Sequence, residues 1–269
     1  MHKTTDDLAM LSQERILEYV ANKCLQKESL FLYGMTDSTN TRAREHARGG
    51  FDGLPRVFIA EGQYAGRGRR GKTFDSERGA GLYISFLLKP KGAMGDITAI
   101  TAEAAVKVCR AVESVCDVSL GIKWVNDIFV NGKKLAGILT EGEFDSERGE
   151  LSYIVCGIGI NLKNRNFPEE ISEIATSVEE AAGAMPDINL LAARIISEFL
   201  AESSSVDYMN EYRARSTVVG RRVEVRRLSG EIFFATADSI TDTGALTVIR
   251  EDGAREELIS AEVSLRCAE

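Results

Sequence analysis

Residues 122–141 read IKWVNDIFV-NG-KKLAGILTE, and this stretch predicts a β-hairpin. Asn131-Gly132 separates two runs that resemble strands, and such two-residue turns need positive φ at both positions. A further run at 151–160 (LSYIVCGIGI) can pair beside the hairpin as a meander. The sequence therefore predicts an antiparallel sheet in the middle of the chain.

Outward from this sheet, strand and helix patterns mix without a strict βαβ alternation. Buried strands are predicted at 56–60 (RVFIA) and 82–88 (LYISFLL). Periodicity and capping residues predict helices at 8–24, from Asp37-Ser38 to before Gly49-Gly50, from Asp96 to about 112, at 168–182, and at 187–201. This mixture predicts an α+β fold, a mixed β-sheet with flanking helices.

The composition changes near residue 212. From Arg213 onwards the chain has nine Arg and no Lys. Short alternating runs separated by Gly and Asp predict strands at 221–227, 232–238, 245–250 and 263–266. Short strands at this spacing are typical of a small β-barrel. We therefore expect two domains, 1–212 and 213–269.

Composition excludes several classes of protein. The 269 residues contain 33 Lys+Arg and 41 Asp+Glu, a net charge of −8, which disfavours general nucleic-acid binding. Five Cys without a C-x-x-C pair fit a reducing compartment, and two His disfavour a multi-histidine metal site. Met1–Met10 lacks a signal-peptide pattern, and no apolar run approaches the roughly 20 residues of a membrane helix. We expect a cytoplasmic protein with no membrane and no nucleic-acid partner.

Residues 66–73 form a glycine-rich basic loop, Gly-Arg-Gly-Arg-Arg-Gly-Lys-Thr. The string fits both the P-loop and the dinucleotide fingerprint, which need a strand directly before and a helix directly after. Here the predicted strand ends at Ala60, and residues 74–85 lack helical spacing. We interpret the loop as an anion-binding segment, with a solvated basic loop as the alternative. Its exposed backbone N–H groups and its cations suit carboxylate and phosphate.

The hairpin predicts a second charged cluster. With a two-residue turn, Phe129 faces Lys134 and Asp127 faces Ala136. Lys123, Asp127 and Lys134 then share one face of the sheet. The same register puts four apolar residues on that face: Val125, Phe129, Ala136 and Ile138. Lys133 points the other way. The alternative interpretation is a salt bridge on an open sheet face.

Five motifs together resemble bacterial biotin–protein ligases. In chain order they are Asp37-Ser38-Thr39-Asn40, Gly66–Gly71, Lys123-Trp124-Val125-Asn126-Asp127, Lys134–Leu139 and Gly157–Asn161. The resemblance covers about residues 30–266 and is to the short class without an N-terminal DNA-binding domain. Two positions depart from the family pattern: Phe74 stands where Trp is usual, and Val125 where Pro is usual.

The resemblance implies a ligase-type catalytic domain and an SH3-like β-barrel at the C-terminus. It implies ATP-dependent activation of biotin to biotinyl-5′-AMP and transfer of biotin to a lysine of a carboxylase carrier domain, such as that of acetyl-CoA carboxylase. ATP and biotin are then substrates, Mg²⁺ accompanies ATP, and a homodimer is compatible with the resemblance. A lipoate–protein ligase and a P-loop NTPase are the alternatives.

The resemblance also implies site residues. The catalytic set is Arg67, Arg69, Lys123, Asp127 and Lys134. The biotin-binding set is Ser38, Thr39, Asn40, Gln63, Gly66, Arg67, Gly68, Arg69, Lys134, Gly157 and Gly159. The ATP-binding set is Arg69, Arg70, Asn126, Lys134 and Asn161. No residue is assigned as a metal ligand. Asp127 is expected to orient or deprotonate the carrier lysine, and plain helix capping is the alternative role for Ser38 and its neighbours.

Overall fold

The computed structural model describes residues 11–21, 25–90, 97–145, 147, 149–163, 167, 172–201 and 205–265. Its helices are α1 (Gln13–Tyr19), α2 (Thr39–Arg48), α3 (Ile97–Glu113), α4 (Val178–Ala182), α5 (Ile188–Leu200) and α6 (Ser205–Ala214). Its first seven strands are β1 (Leu30–Thr36), β2 (Arg56–Gln63), β3 (Gly81–Leu88), β4 (Gly121–Lys123), β5 (Asp127–Val130), β6 (Lys133–Asp145) and β7 (Glu150–Asn161). No helix of the described ranges is long and apolar enough to cross a membrane.

These seven strands form one mixed sheet in the order β1-β2-β3-β7-β6-β5-β4. β1 and β2 are parallel, and the other neighbours are antiparallel. On one face, Ile59 and Ile84 belong to a core with residues of α3 and α5. On the other face, Phe58 packs in a second cluster with Ala43 of α2. Helices on both faces explain why β2 and β3 read as continuous apolar runs.

The hairpin turn is confirmed, with positive φ at Asn131 (50°) and Gly132 (80°). The predicted first strand is interrupted, because the chain turns between β4 and β5 and pairs Lys123 with Asp127. The predicted register is wrong beyond the turn: Asp127 lies opposite Gly137, not Ala136. Ala136 pairs with Ile128 and Lys134 with Phe129, so Leu135 is an extra residue in β6.

The bulge also corrects the predicted surroundings of the charges. Val125, Ala136 and Ile138 are buried in the main core. They do not surround the lysines on the face that carries Asp127. Phe129 does lie on that face, as predicted, with its centroid 5.5 Å from Lys123 Nζ. Phe74, which was not predicted there, has its centroid 6.0 Å from Lys134 Nζ. One extra residue reverses the facing of every later side chain in the strand, because side chains alternate between the two faces.

Most other predicted elements are confirmed within the described ranges. Helix α2 ends at Gly49, and α5 begins after Asp187, whose carboxylate accepts from two backbone N–H groups. The predicted continuous helix at 168–182 is wrong, since the described residues 173–177 are not helical and separate helical Ser172 from Val178–Ala182. The sequence analysis missed β1 and α6. Parts of the predictions lie outside the described residues: Met1–Met10, 22–24, Asp96, 168–171 and Arg266.

The C-terminal part forms a five-stranded antiparallel sheet. Its strands are β8 (Arg222–Arg226), β9 (Ile232–Ile240), β10 (Leu246–Arg250), β11 (Arg255–Leu258) and β12 (Glu262–Leu265), in the order β11-β10-β9-β8-β12. β11 was not predicted, because REEL has no apolar alternation. The α+β class with a separate small β module is confirmed. The boundary after residue 212 falls within α6 and stays a prediction.

Candidate active site

A first cavity opens where the N-terminus of α2, the glycine-rich loop, β6 and β7 meet. Six of its lining residues come from the helix start and the loop: Ser38, Thr39, Asn40, Arg67, Gly68 and Arg69. The rest are Gln63, Phe74, Asn126, Lys134, Gly137, Ile138, Leu139, Gly157, Ile158 and Gly159. Cationic, polar and apolar groups therefore line the same space, which suits a small anion with an apolar body.

The start of α2 is tied to the strand before the loop. Thr39 donates from its backbone N–H to Gln63 Oε1 at 2.8 Å, and Gln63 Nε2 donates to Ser76 Oγ at 3.1 Å. Ser38 occupies the N-cap position but makes no capping hydrogen bond with its side chain. Helix capping alone therefore does not account for the Ser38 hydroxyl group, which lines the cavity.

The two glycines of β7 are needed for side chains that reach over the strand. A Cβ at Gly157 would collide with the Asn40 side-chain amide, and one at Gly159 would lie 2.6 Å from Phe74 Cε1. Glycine lets another group approach the backbone closely. In this structure the approaching groups are Asn40 and Phe74, and both form walls of the cavity.

The loop carries its arginines to different partners. Arg67 lies 3.2 Å from Glu141 as an ion pair, and Arg69 donates to Asn126 Oδ1 at 3.1 Å. Burial, and secondarily the neighbouring Arg70, lowers the pKa of Arg69. A half-buried guanidinium that is hydrogen-bonded to a neutral amide retains its charge for an anionic ligand.

A second cavity adjoins the first, between the main sheet and the C-terminal module. It contains the predicted charged cluster, in which Lys134 Nζ lies 2.7 Å from Asp127 Oδ1. Its other lining residues are Gly68, Arg69, Arg70, Lys72, Thr73, Phe74, Lys123, Trp124, Asn126, Ala261, Glu262 and Val263. Burial lowers the pKa of Lys123, with Asp127 opposing and Lys134 reinforcing that effect.

The C-terminal module closes the second cavity through Glu262. Lys72 Nζ donates to Glu262 Oε1 at 2.5 Å, and Arg70 donates to the backbone carbonyl of Arg226 at 3.3 Å. Lys72 is the main cause that lowers the pKa of the Glu262 carboxyl. The glycine-rich loop is therefore held from both domains.

The two cavities share five residues: Gly68, Arg69, Phe74, Asn126 and Lys134. Two of these are cations on the common wall. An anion in one cavity and a second anion in the other would meet there, with their repulsion reduced by Arg69 and Lys134. The arrangement suits a reaction between a carboxylate and a phosphate.

The comparisons with known proteins agree with this chemistry. Residues 32–161 match the biotin/lipoate A/B protein ligase family, and residues 218–266 match the biotin protein ligase C-terminal domain. The chain is 32% identical over 243 residues to the biotin–[acetyl-CoA-carboxylase] ligase of Mycobacterium tuberculosis, with 86% of each chain covered. This chain belongs to the biotin protein ligase family.

Two further relatives place the ligase in the same family. It is 31% identical over 248 residues to the bifunctional ligase/repressor BirA of Bacillus subtilis, covering 88% of this chain and 74% of that protein. Among solved structures, the biotin protein ligase from Aquifex aeolicus in complex with biotin and ATP matches with a TM-score of 0.73 and 26% identity. That match covers 90% of this ligase and 100% of the Aquifex chain.

The structure brings most predicted site residues of the ligase to the two cavities. Arg70, Lys123 and Asp127 line the second cavity, and the rest of the predicted sets line the first, with two exceptions. Gly66 begins the loop and packs against the segment that follows it, where a Cβ would collide with Phe74 O and Ser76 Oγ. Asn161 donates to Thr176 O at 3.1 Å and lines neither cavity.

The P-loop alternative does not fit the ligase structure. The loop contains a short 3₁₀ turn at Arg69–Gly71, and β3 follows at Gly81. The residues between are described and are not helical, so the helix N-terminus that a P-loop uses is missing there.

Among the residues of this region that were not predicted as part of the site, three have contacts that shape it. Phe74 was noted only as a departure from the family pattern, although it contributes to both cavities. Glu141 pairs with the loop arginine, and Glu262 pairs with the loop lysine from the other domain. Local sequence gives no signal for the two glutamates, because their partners are distant along the chain.

Proposed function

We propose that this ligase activates biotin with ATP and transfers biotin to a lysine of a carboxylase carrier domain. The observation that carries the proposal is the wall shared by the two cavities, with Arg69, Asn126 and Lys134 exposed to both. Biotin would occupy the first cavity, and the nucleotide the second. The names of the relatives and the Aquifex complex with biotin and ATP support this assignment.

In the first step, the biotin carboxylate attacks the α-phosphorus of ATP, and pyrophosphate leaves. The new bond is the acyl–phosphate bond of biotinyl-5′-AMP. Two anions must approach closely, so positioning and charge neutralisation dominate the barrier. Arg69 and Lys134 supply charge at the junction, Arg67 supplies it on the biotin side, and Arg70 and Lys123 supply it on the nucleotide side.

In the second step, the carrier lysine attacks the acyl carbon, and AMP leaves. An ordinary lysine has a pKa of about 10.4, so the amine must lose a proton before it attacks. Asp127 is the carboxylate of the charged cluster, and it lies beside Lys134 rather than in isolation. We assign Asp127 two roles. It orients Lys134, and it accepts a hydrogen bond or a proton from the incoming amine.

Biotin contacts are assigned to the polar residues at the start of α2. Ser38, Thr39, Asn40 and Gln63 offer donors and acceptors to the ureido ring, while Gly157 and Gly159 leave room for the walls that enclose it. The side chains of Thr39 and Asn40 are both within hydrogen-bond distance of the hydroxyl group of buried Ser85, through Thr39 Oγ1 and Asn40 Oδ1. A network of this kind fixes side-chain direction before substrate binds.

Mg²⁺ is proposed to enter with the triphosphate. In the part of the chain that the structure describes, no group of three or more His, Cys, Asp or Glu could hold a metal ion. Mg²⁺ is often bound by substrate phosphates and water with few protein ligands, so this does not conflict with Mg–ATP as substrate. No step of the mechanism is assigned to it.

Self-association is a further prediction, tested by sedimentation with and without biotin and ATP.

The deciding experiment is ATP–pyrophosphate exchange on the purified protein with biotin, with lipoate and with neither. We expect exchange that requires biotin. Exchange with lipoate but not with biotin would support the same adenylation reaction, with lipoate as the acid substrate in place of biotin. ATP hydrolysis without exchange would contradict the proposal. Transfer is then measured by incubating the preformed adenylate with an isolated biotin carrier domain and following biotin on its lysine.

A further inference from the structure

Glu141 lies on β6 beside the first cavity, and its carboxylate contacts both α2 and the glycine-rich loop. Oε2 accepts from Asn40 Nδ2 at 2.8 Å. Oε1 lies 3.2 Å from Arg67 NH1 of the glycine-rich loop and 3.1 Å from Arg44 NH1 of α2. One carboxylate therefore connects the helix start, the sheet and the loop.

Asn40 is held from two sides. Its Oδ1 accepts from Ser85 Oγ at 2.6 Å, and Ser85 is fully buried. Its Nδ2 donates to Glu141, and Gly157 provides the space beneath. The Glu141 carboxylate can only accept, so it fixes Nδ2 on its side of the amide and leaves Oδ1 facing the Ser85 hydroxyl, which could itself donate or accept.

The contact with Arg67 has a different consequence. The Arg67 side chain is 44% exposed, and that of Glu141 is 21% exposed. A partly exposed ion pair contributes little to folding stability. Its effect is positional, since it ties a side chain of the loop to a strand of the sheet.

Charge balance leaves room for the substrate. Arg44 and Arg67 are two cations on one carboxylate, so the cluster keeps a net charge of +1. A substrate carboxylate, or the adenylate that replaces it, can therefore still be attracted to Arg67. Full neutralisation by a second carboxylate would remove that attraction.

We propose that Glu141 is a positioning residue, which orients the Asn40 amide towards biotin and holds Arg67 so that the loop stays over the intermediate. The inference rests on the proposed function. It assigns Glu141 no contact with the reacting atoms. Its strand neighbour Glu143 is exposed and is not expected to have this role.

The test compares Glu141→Gln with the matched control Glu143→Gln. Gln keeps an oxygen that can accept from Asn40 but removes the charge that holds Arg67. In Glu141→Gln we expect KM for biotin and the release rate of preformed biotinyl-5′-AMP each to rise about tenfold, as for loss of one charge-assisted hydrogen bond. KM for ATP and the melting temperature should stay unchanged, and Glu143→Gln should behave as the wild type.

Two further variants make the test specific. Glu141→Asp keeps the charge and should recover part of the loss, and it carries the test if the Gln variant does not fold. Arg67→Met and its combination with Glu141→Gln should release the adenylate at similar rates, because the glutamate acts on the loop through Arg67.

The outcomes separate the inference from the function on which it rests. Wild-type exchange that requires biotin, together with an unchanged KM and release rate in Glu141→Gln, overturns the positioning role alone. A fall in melting temperature without a change in either quantity also overturns it, since that marks a purely structural residue. Wild-type exchange that does not require biotin overturns both proposals.

Discussion

Lys134 Nζ of β6 lies 2.7 Å from Asp127 Oδ1 of β5. The register between these two strands shifts by one residue between the two positions. Its sequence neighbour Lys133 lies on the other side, 3.8 Å from Glu180 of α4. The bulge at Leu135 lets both Leu135 and Ala136 point into the core while Lys134 stays beside Asp127. Two adjacent lysines therefore have different surroundings, and only Lys134 reaches the wall that both cavities share.

The first prediction rests on this difference. Lys134→Ala should reduce biotin-dependent ATP–pyrophosphate exchange about 100-fold, the effect of removing one preorganised charge from a reaction centre. Lys133→Ala is the matched control and should change exchange by less than about twofold, because a partly exposed ion pair contributes little. Similar losses in the two variants would contradict the assignment of Lys134 to the shared wall.

Asp127→Asn separates the two steps of the reaction. The amide can still orient Lys134 by a hydrogen bond, but it cannot accept a proton from the carrier amine. We expect the rate of biotin transfer to the carrier domain to fall about tenfold more than the rate of adenylate formation. The measurement is single-turnover transfer from preformed adenylate beside exchange on the same preparation. Equal losses would show that Asp127 acts only through Lys134.

Lys123 should lower stability at neutral pH while it aids ATP binding. Burial lowers the pKa of Lys123 in the native state. The unfolded chain then binds more protons between that pKa and the ordinary value near 10.4, so this contribution to the free energy of unfolding rises with pH across that window. Below the window both states are protonated, and the penalty is constant.

Replacement of Lys123 by Met should remove that dependence. We expect Lys123→Met to lose the rise in unfolding free energy, to melt at the wild-type temperature or above, and to raise KM for ATP about tenfold, as for loss of one charge-assisted contact. Urea unfolding from pH 7 to 10, with ATP kinetics at pH 7, measures both effects. A variant with the wild-type pH slope would show that Lys123 is not the group responsible.

Gly159→Ala should disturb the wall formed by Phe74. The new Cβ would lie 2.6 Å from Phe74 Cε1, so the ring must move, and overpacking of this kind costs about 1–3 kcal/mol. We expect KM for biotin to rise about tenfold. Gly49→Ala is the control, because its φ is −74° and its nearest neighbour, the His46 carbonyl oxygen, would lie 3.4 Å away. Unchanged biotin kinetics in Gly159→Ala would mean that the ring position does not matter for binding.

The sequence predicted features that depend on local chemistry. Asn131-Gly132 formed the expected turn, Gly49 ended α2, and Asp187 capped α5. The fold class and most strands of the sheet could be predicted from apolar periodicity. Strand β1 was missed although Leu30–Thr36 pairs along its length with β2. Its sequence, LFLYGMT, carries a glycine and no clear alternation, and its strand conformation depends on its neighbour.

The motifs at 37–40, 66–71, 123–127, 134–139 and 157–161 determined the family of this protein and most of its candidate site by themselves. The residue types in these motifs suit the chemistry of the proposed substrates, and residue type can be read directly from the sequence. Only the tertiary structure decided the bulge at Leu135, the pairing of Glu141 with Arg67, and the approach of Glu262 to the loop. Such contacts depend on strand register and domain packing, which join residues far apart in the chain and leave no local pattern.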